Sequence, residues 1–241
     1  MEFEINGQVT EYKDIVDTEF GEILRRCYSN CMSVQFRWLE PLYCLYTDIK
    51  YIVEHNIPGD IVECGVWRGG MMQLAALALQ HFGDESRKIY LYDTYEGMPE
   101  PGKQDINWDG LSAKPTWDKH TAEGKKWGYG GSIEQVRETL LSTEYPEDKL
   151  VFVKGLVEET IPEIAPEAIS ILRLDTDFYS STRHELVELY PRLSIGGVLI
   201  IDDYGYYQGS RKATDEYLAE NKIKILLNRT HTSVYQGVKI E

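Results

Sequence analysis

Two acidic pairs follow two apolar runs in the second half of the chain. Asp175 and Asp177 come after one run, and Asp202 and Asp203 come after the next. If the runs are adjacent parallel strands, these carboxylates meet at one edge of a sheet. Crowded carboxylates raise each other's pKa, which is costly unless a cation or a shared proton relieves the repulsion. A hard ion such as Mg²⁺ suits an all-oxygen site. The pattern therefore predicts a divalent metal, with separate surface caps or salt bridges as the alternative.

A metal at that edge would act on a hydroxyl group. Binding to it would lower the pKa of the hydroxyl, orient it and stabilise the alkoxide that attacks an electrophilic carbon. A nearby base must also accept the proton. Asp177 and His120 are the candidates for this role, whereas His184 lies a turn into a predicted helix and is expected to be structural.

A glycine-bearing turn, ECGVWRGG at residues 63–70, follows the first apolar strand. Glycines at the carboxyl end of a parallel strand let the backbone approach a ligand closely. Trp67, Arg68 and Gly69 are therefore candidate cofactor contacts. The turn does not match the dinucleotide motif GxGxxG, because Cys64 replaces the first glycine. A purely structural turn is the alternative.

Two acidic residues sharpen this interpretation. Glu63 stands immediately before the turn, and Asp93 ends the second predicted strand. An acid after the second strand can accept hydrogen bonds from both hydroxyls of a ribose, whether the cofactor is NAD or S-adenosylmethionine. The sequence therefore predicts a nucleoside cofactor, although Asp93 alone is also compatible with an Asx turn or a cap.

Helical and extended periodicities alternate around these residues. Two helices are predicted within residues 18–56, and strands then alternate with helices as far as two closing strands near residues 223–227 and 233–240. This alternation predicts an α/β, Rossmann-like fold with a seven-stranded, mainly parallel sheet and an antiparallel last strand. We expect residues 1–56 to form an N-terminal helical extension and residues 57–241 to form the main domain.

The segment from Glu96 to Gly131 interrupts this alternation. It is rich in Gly, Pro, Trp and charge and shows little periodicity. Long irregular segments inside compact domains are usually lids, binding loops or linkers. Its aromatic residues favour a long lid over the substrate; they are Trp108, Trp117, Trp127 and Tyr129.

The composition excludes some classes of partner. A formal net charge of -15 over 241 residues argues against nucleic acid, whose binding depends on basic groups. The N-terminus lacks the features of a signal peptide, and no apolar run approaches the roughly 20 residues that cross a bilayer, so we expect a cytoplasmic protein without membrane partners. The 4 cysteines show no zinc-site spacing and are expected to be reduced thiols.

Three blocks of the sequence resemble one known family. VECGVWRGG, YDTYEGMP and LDTDFYSSTRHELVELYPRLSIGGVLIIDDYG, spread over roughly residues 55–240, are similar to the macrocin O-methyltransferases, which methylate sugar hydroxyls in natural-product biosynthesis. The resemblance implies the class I methyltransferase fold, S-adenosylmethionine, Mg²⁺ or another divalent cation, and self-association. The acceptor would be a small, hydroxylated and glycosylated molecule. The N-terminal part does not align with the family.

The resemblance also assigns roles to residues. Glu63 and Gly65 would contact the methionine part of the cofactor, and Asp93 would bind its ribose. Ser132, in a segment similar to the family's adenine-side element, is a weaker cofactor candidate. The implied metal ligands are Asp175, Asp202 and Asp203, with Asp177 as the general base beside them.

Three alternatives stay open at this point. A catechol-type O-methyltransferase would also use a metal to bind vicinal hydroxyls. An NAD-dependent oxidoreductase would share the fold and the acidic ribose residue but would require GxGxxG. A non-catalytic binding module would tolerate loss of the acidic residues, yet all the strand-end aspartates are present.

Overall fold

Within the described residues, two short strands and two helices precede the main sheet. The computed structural model describes residues 2–5, 8–11, 15, 17–31 and 38–241. Strands β1 (Glu2–Ile5) and β2 (Gln8–Glu11) pair antiparallel in a sheet of their own, which the sequence analysis did not predict. Helices α1 (Thr18–Cys27) and α2 (Glu40–Glu54) lie in the region where two helices were predicted.

Seven strands form the central sheet. In chain order they are β3 (Asp60–Cys64), β4 (Ile89–Asp93), β5 (Leu150–Lys154), β6 (Ile169–Leu174), β7 (Leu193–Ile201), β8 (Asn228–Arg229) and β9 (Tyr235–Val238). Their spatial order is β5-β4-β3-β6-β7-β9-β8. Strands β3 to β7 are mutually parallel, whereas β9 runs antiparallel to β7 and β8. The predicted mainly parallel sheet with a reversed last strand is therefore confirmed.

Helices connect the strands and cover both faces of the sheet. They are α3 (Gly70–Phe82), α4 (Lys114–Ala122), α5 (Ile133–Leu141), α6 (Val157–Thr160), α7 (Tyr179–Leu189) and α8 (Gln208–Glu220). Short 3₁₀ turns occupy Tyr28–Asn30, Glu147–Lys149 and Tyr190–Arg192. Among the described residues, no helix combines the length and apolar character needed to cross a bilayer.

The core is divided into two layers by the sheet, because successive strand residues point to opposite faces. On β6, Ile171 belongs to one layer and Leu172 to the other. The first layer also contains Phe20 of α1 and Ile49 of α2, so the N-terminal helices share a core with the sheet. Helix α3 is apolar on nearly every side, as expected of a helix enclosed by other elements.

The first closing strand differs from its prediction. Residues 223–227 have no strand pairing, and β8 is limited to Asn228–Arg229. Ile223, Ile225 and Leu227 nevertheless pack against the core. Their alternation therefore reports side-chain packing rather than backbone pairing, which explains the shift.

The 96–131 segment is docked onto the main domain. It contains helix α4, and it makes an isolated antiparallel bridge between Asn107 and Tyr207. The buried Asp105 carboxylate accepts hydrogen bonds from the backbone N–H groups of Tyr179 (2.8 Å) and Gly102 (2.6 Å). The bond from Tyr179 fixes the segment to the start of α7, beside the carboxyl edge of the sheet.

Candidate active site

A cleft of about 640 Å³ opens at the carboxyl edge of the sheet, the position where open parallel sheets bind ligands. We call it the main cleft. The sheet-end and turn residues that line it include several predicted from the sequence: Glu63, Gly65, Trp67, Asp93, Asp175, Asp177, Asp202 and Asp203. The residues predicted to bind the cofactor and those predicted to bind the metal therefore line the same cleft.

Gly65 shapes the turn between β3 and α3. Its φ of +85° is a conformation that side chains rarely adopt, and a Cβ added there would lie 1.9 Å from the carbonyl oxygen of Asp175. Glycine is therefore required for the turn to pass the end of β6. The sequence predicted that the backbone at this turn lies close to a ligand. In the structure, the group that Gly65 lies close to is the backbone of Asp175.

Asp93 holds the same turn in place. Its Oδ2 accepts hydrogen bonds from the backbone N–H groups of Val66 (2.7 Å) and Trp67 (3.1 Å). Its Oδ1 accepts one from Tyr95 (2.7 Å). Asp93 also lines the main cleft. The residue predicted to accept hydrogen bonds from a ribose therefore also stabilises the turn.

The carboxylates at the ends of β6 and β7 form a cluster. One oxygen from each of Asp175, Asp202 and Asp203 can be chosen so that all lie within 4.8 Å of one another. Burial raises the pKa of Asp175 and of Asp203 well above the usual range, and neighbouring carboxylates raise both further. Hard oxygen donors crowded in this way match the ligand preference of Mg²⁺. We call these three residues the acidic cluster.

Arg173 links the acidic cluster to Glu63. Its Nη1 donates to Glu63 Oε1 (2.8 Å) and to Asp175 Oδ2 (2.6 Å), and its Nη2 donates to Asp202 Oδ1. Burial opposes the charge, but the three carboxylates raise the pKa of the guanidinium well above its usual value. Arg173 was not among the residues predicted from the sequence. The available signal was a single charged residue within the mostly apolar strand β6.

Glu63 has unused hydrogen-bonding capacity. Its side chain is 1% exposed, and its Oε2 has no hydrogen-bond partner within the described part of the chain. Burial raises its pKa to about 8, although the nearby Arg173 guanidinium lowers it. A buried acceptor without a partner at a cleft wall indicates that a ligand with a donor group completes it.

Asp177 lies beside the cluster in a strained conformation. Its φ is +66°, and its carboxyl group lies next to that of Asp203. Burial, and then the charge of Asp175, raise the pKa of Asp177 well above its usual value. Left-handed backbone at a non-glycine residue is uncommon and often marks a functional position. The side chain is therefore poised to share a proton at the floor of the cleft.

Four predicted residues lie elsewhere. The main cleft, as lined by described residues, does not include His120, Ser132, Arg68 or Gly69. His120 Nδ1 lies 2.8 Å from the carbonyl oxygen of Thr116 within α4. The Arg68 Nε donates to the carbonyl of Gly130 (3.2 Å).

The other two shape helix boundaries. Ser132 caps α5: its Oγ accepts from the N–H of Gln135 (3.3 Å), whose side chain accepts in return from the Ser132 N–H (2.9 Å). Gly69 precedes α3 with φ +79°, and a Cβ there would lie 2.9 Å from Leu140. Both residues therefore have local structural reasons for their identity.

Aromatic residues complete the walls of the main cleft. Trp108 and Trp127 come from the 96–131 segment, as the lid interpretation requires. Trp38, Tyr206 and Tyr207 were not predicted. The two tyrosines follow Asp202 and Asp203 closely in sequence, and this proximity was the signal available for them. The arrangement has room for a large organic ligand against carboxylates whose oxygens are suited to binding a cation and accepting a proton.

Comparison with known proteins identifies a family for this chain. A family described as Macrocin-O-methyltransferase (TylF) matches residues 40–236. The 8-demethyl-8-(2,3-dimethoxy-alpha-L-rhamnosyl)-tetracenomycin-C 4'-O-methyltransferase of Streptomyces olivaceus is 34% identical over 175 residues, 73% of this chain and 62% of that protein. The demethyldecarbamoylnovobiocin O-methyltransferase of Streptomyces niveus is 31% identical over 172 residues, 71% of this chain and 63% of that protein. The chain thus spans a little under two thirds of the length of these relatives.

Solved structures agree with the predicted fold. The O-methyltransferase NovP superimposes with a TM-score of 0.73 and 28% identity, covering 84% of this chain and 81% of NovP. The calicheamicin methyltransferase CalS11 gives a TM-score of 0.65 at 16% identity, covering 98% of this chain and 96% of CalS11, and at that identity it shows the fold alone. The class I methyltransferase fold expected from the sequence is confirmed.

Proposed function

The chain belongs to the macrocin-O-methyltransferase family, as the sequence predicted, and we propose that it transfers the methyl group of S-adenosylmethionine to a hydroxyl of a sugar on a natural product. One observation carries this proposal. The acidic cluster, with one oxygen of each aspartate within 4.8 Å of the others, lies in the same cleft as Glu63 and Asp93. The groups that we propose for binding the cation and the cofactor therefore line one cleft.

The residues of the main cleft fit S-adenosylmethionine, which supplies a methyl group on a positively charged sulfur. Glu63 Oε2, buried and without a partner in the described structure, is an acceptor for the ammonium group of the methionine part. The turn that Asp93 holds would border the same ligand. A cationic ligand would also lower the pKa of Glu63 from about 8 and so favour its ionised form.

The acidic cluster fits a divalent cation. Arg173 uses one oxygen of Asp175 and one of Asp202, and Asp203 Oδ2 is buried without a partner among the described residues. Asp175, Asp202 and Asp203 would hold the ion, which when bound supplies a Lewis acid that lowers the pKa of the acceptor hydroxyl. The crowding that raises the pKa of Asp175 and of Asp203 would be relieved in the same way.

Side chains of the protein carry out the remaining steps. Asp177 accepts the hydroxyl proton on its carboxylate, which lines the main cleft beside the acidic cluster. Arg173 holds Asp175 and Asp202 in register with Glu63, which fixes the acceptor side relative to the cofactor side. Trp127 and Met98 border the cleft and exclude water from the reacting groups. His120 stays a second candidate for the base.

Binding and acceptor assays test the proposal together. Calorimetry should show that S-adenosylmethionine binds to the chain and that NAD does not. Methyl transfer from the labelled cofactor should then be detected with rhamnosides and other glycosides, and not with catechol. Transfer to catechol in place of every glycoside would identify a catechol-type enzyme. Binding of NAD in place of S-adenosylmethionine would contradict the proposal. The cytoplasmic location, self-association and the 1–56/57–241 division stay predictions.

A further inference from the structure

A buried acid lies behind the turn that carries Asp175 and Asp177. Glu185, on the inward face of α7, is 0% exposed, and no step of the proposed reaction uses it. Its neighbours one helical turn away on that face are Ser181 and Leu189, which are also buried. A leucine would fill such a position without the desolvation cost of a carboxyl group. The acid therefore calls for a specific partner.

The partner of Glu185 is Thr176. Glu185 Oε1 accepts a hydrogen bond from Thr176 Oγ1 (2.9 Å). Thr176 stands between Asp175 and Asp177 in the sequence, and it lines the main cleft. The hydrogen bond crosses from α7 to the residues that follow β6. It therefore ties the turn that presents the two aspartates to a helix of the main domain.

The Glu185 carboxyl group can make this bond in its neutral form. Burial raises its pKa to about 8, against the lowering effect of the Thr176 hydrogen bond, and no basic group of the described residues is among the causes. The Cys64 thiol lies next to it at the end of β3, and Glu185 Oε2 has no hydrogen-bond partner within the described part of the chain. A neutral carboxyl group offers Thr176 an acceptor without adding a negative charge behind the acidic cluster.

The turn needs support because of the backbone at Asp177. Its φ of +66° is uncommon for a residue with a side chain and persists only where surrounding contacts enforce it. The Thr176 carbonyl accepts hydrogen bonds from the backbone N–H of Phe178 (2.7 Å) and from Ser181 Oγ (3.3 Å). These contacts hold the backbone of Thr176, and Glu185 holds its side chain. Together they keep the turn in its strained form.

We propose that Glu185 is a positioning residue for methyl transfer, which acts through Thr176 to hold Asp175 and Asp177 in the geometry that the reaction requires. This inference rests on the proposed function. Glu185 is absent from the described lining of the main cleft, so it acts on the reaction only through its neighbours. Loss of its hydrogen bond would leave the binding groups in place and let the turn move. Small displacements of reacting groups slow the chemical step, so we expect a lower kcat at unchanged KM.

Kinetics of variants at the two bonded residues test the inference. Thr176→Val removes the hydroxyl and keeps the branched shape, whereas Glu185→Leu removes the acceptor. Each should lower kcat by roughly tenfold or more, with the KM of the acceptor and the dissociation constant of S-adenosylhomocysteine unchanged. The double variant should be no slower than either single variant, because both changes remove the same bond. Glu185→Gln keeps a neutral acceptor and should stay within about twofold of wild type.

Thr182→Val is the matched control. Thr182 is buried on the same helix, and its Oγ1 donates to Ser210 Oγ (3.4 Å) on α8. Its replacement also removes a buried hydroxyl, so we expect a similar fall in Tm but an unchanged kcat. Amide hydrogen exchange adds a readout that needs no substrate. The Phe178 N–H, which donates to the Thr176 carbonyl, should exchange faster in Thr176→Val and Glu185→Leu than in Thr182→Val.

Three results would overturn the inference: a wild-type kcat in Thr176→Val, an equal loss of kcat in Thr182→Val, or a Glu185→Gln variant as slow as Glu185→Leu. Thr176→Val alone decides the outcome if Glu185→Leu does not fold. The exchange measurement separates this inference from the proposed function. Faster exchange at Phe178 in a chain that methylates no acceptor would support the link between Glu185 and the turn and contradict the proposed function. Methyl transfer by wild type, with exchange unchanged in both variants, would contradict the positioning role alone.

Discussion

At the level of single residues, the main cleft contains more buried carboxylates than buried basic groups among the described residues. Glu63, Asp175 and Asp202 share one buried guanidinium, that of Arg173, and Asp177 and Asp203 lie alongside. A buried ion pair tolerates the loss of a partner poorly, because the remaining charge is left uncompensated. The carboxylates were predictable because each follows an apolar run directly. Arg173 was not, since its partners come from three different strands and only the fold brings them together.

Asp202 is the residue whose change tests this balance most simply. Asp202→Asn removes one negative charge from the acidic cluster while keeping the side-chain shape. We expect turnover to fall by roughly a hundredfold or more, because several kcal/mol of stabilisation of the developing alkoxide are lost. The measurement is steady-state methyl transfer at saturating S-adenosylmethionine.

Asp148→Asn provides the control for that change. Asp148 is exposed in the turn before β5, so its replacement should leave turnover unchanged. Denaturation of both variants should show intact folding. A fully active Asp202→Asn variant would contradict the role of Asp202 as a metal ligand.

At the level of helices and strands, sequence periodicity located the elements that bury an apolar face. It missed α4, which has no buried residue, so no apolar stripe existed to mark it. It misplaced β8 because the apolar alternation of residues 223–227 reflects packing on the core. Helix ends appear in a sequence only as short local patterns. Ser132 was predicted as a cofactor contact, and in the structure it caps the N-terminus of α5.

Ser132 distinguishes a cap from a cofactor contact. Ser132→Ala removes the hydroxyl that accepts a hydrogen bond from the backbone N–H of Gln135, in the first turn of α5. We expect the free energy of unfolding to fall by about 1 kcal/mol. Because Ser132 lies outside the lining of the main cleft, the dissociation constant for S-adenosylmethionine should not change. Urea denaturation and calorimetry give the two quantities.

A second cap serves as the comparison. Asp17 accepts from the N–H of Phe20 (3.2 Å) at the start of α1, and Asp17→Ala should cost a similar amount of stability. Weaker cofactor binding in the Ser132 variant alone would restore Ser132 as a cofactor residue, as the family resemblance implied.

Asp48 couples α2 to β9 in a pH-dependent way. Burial raises its pKa to about 7, against the lowering effect of the Gln236 hydrogen bond (3.2 Å). The folded chain therefore holds a proton that the unfolded chain releases near pH 4, so this group lowers stability as pH rises towards 7. Asp48→Asn removes the titration and keeps an acceptor for Gln236.

The stability difference between Asp48→Asn and wild type should therefore grow in favour of the variant, by about 2 kcal/mol from pH 5.5 to pH 8. Comparison at two pH values cancels the other titrating groups, which both proteins share. Urea denaturation at each pH provides the measurement. A difference that is constant with pH would show that Asp48 is already ionised at pH 5.5.

At the level of the whole molecule, the chain combines a sheet whose carboxyl edge collects acids with a segment that covers them. Alternating strands and helices were sufficient to predict this sheet and its reversed last strand. The docking of the 96–131 segment was not predictable, because it depends on single contacts such as Asp105 with the backbone of Tyr179. The contact between the rings of Trp108 and Tyr206 likewise exists only once two distant loops meet.

Dependence of methyl transfer on a divalent cation is the most direct test of the account. The wild-type chain, treated with EDTA and assayed with S-adenosylmethionine and a rhamnoside, should lose nearly all activity and recover it when Mg²⁺ is added. Under the same conditions, Asp202→Asn should not recover. Undiminished transfer in the presence of excess EDTA would contradict the assignment of Asp175, Asp202 and Asp203 as a metal site.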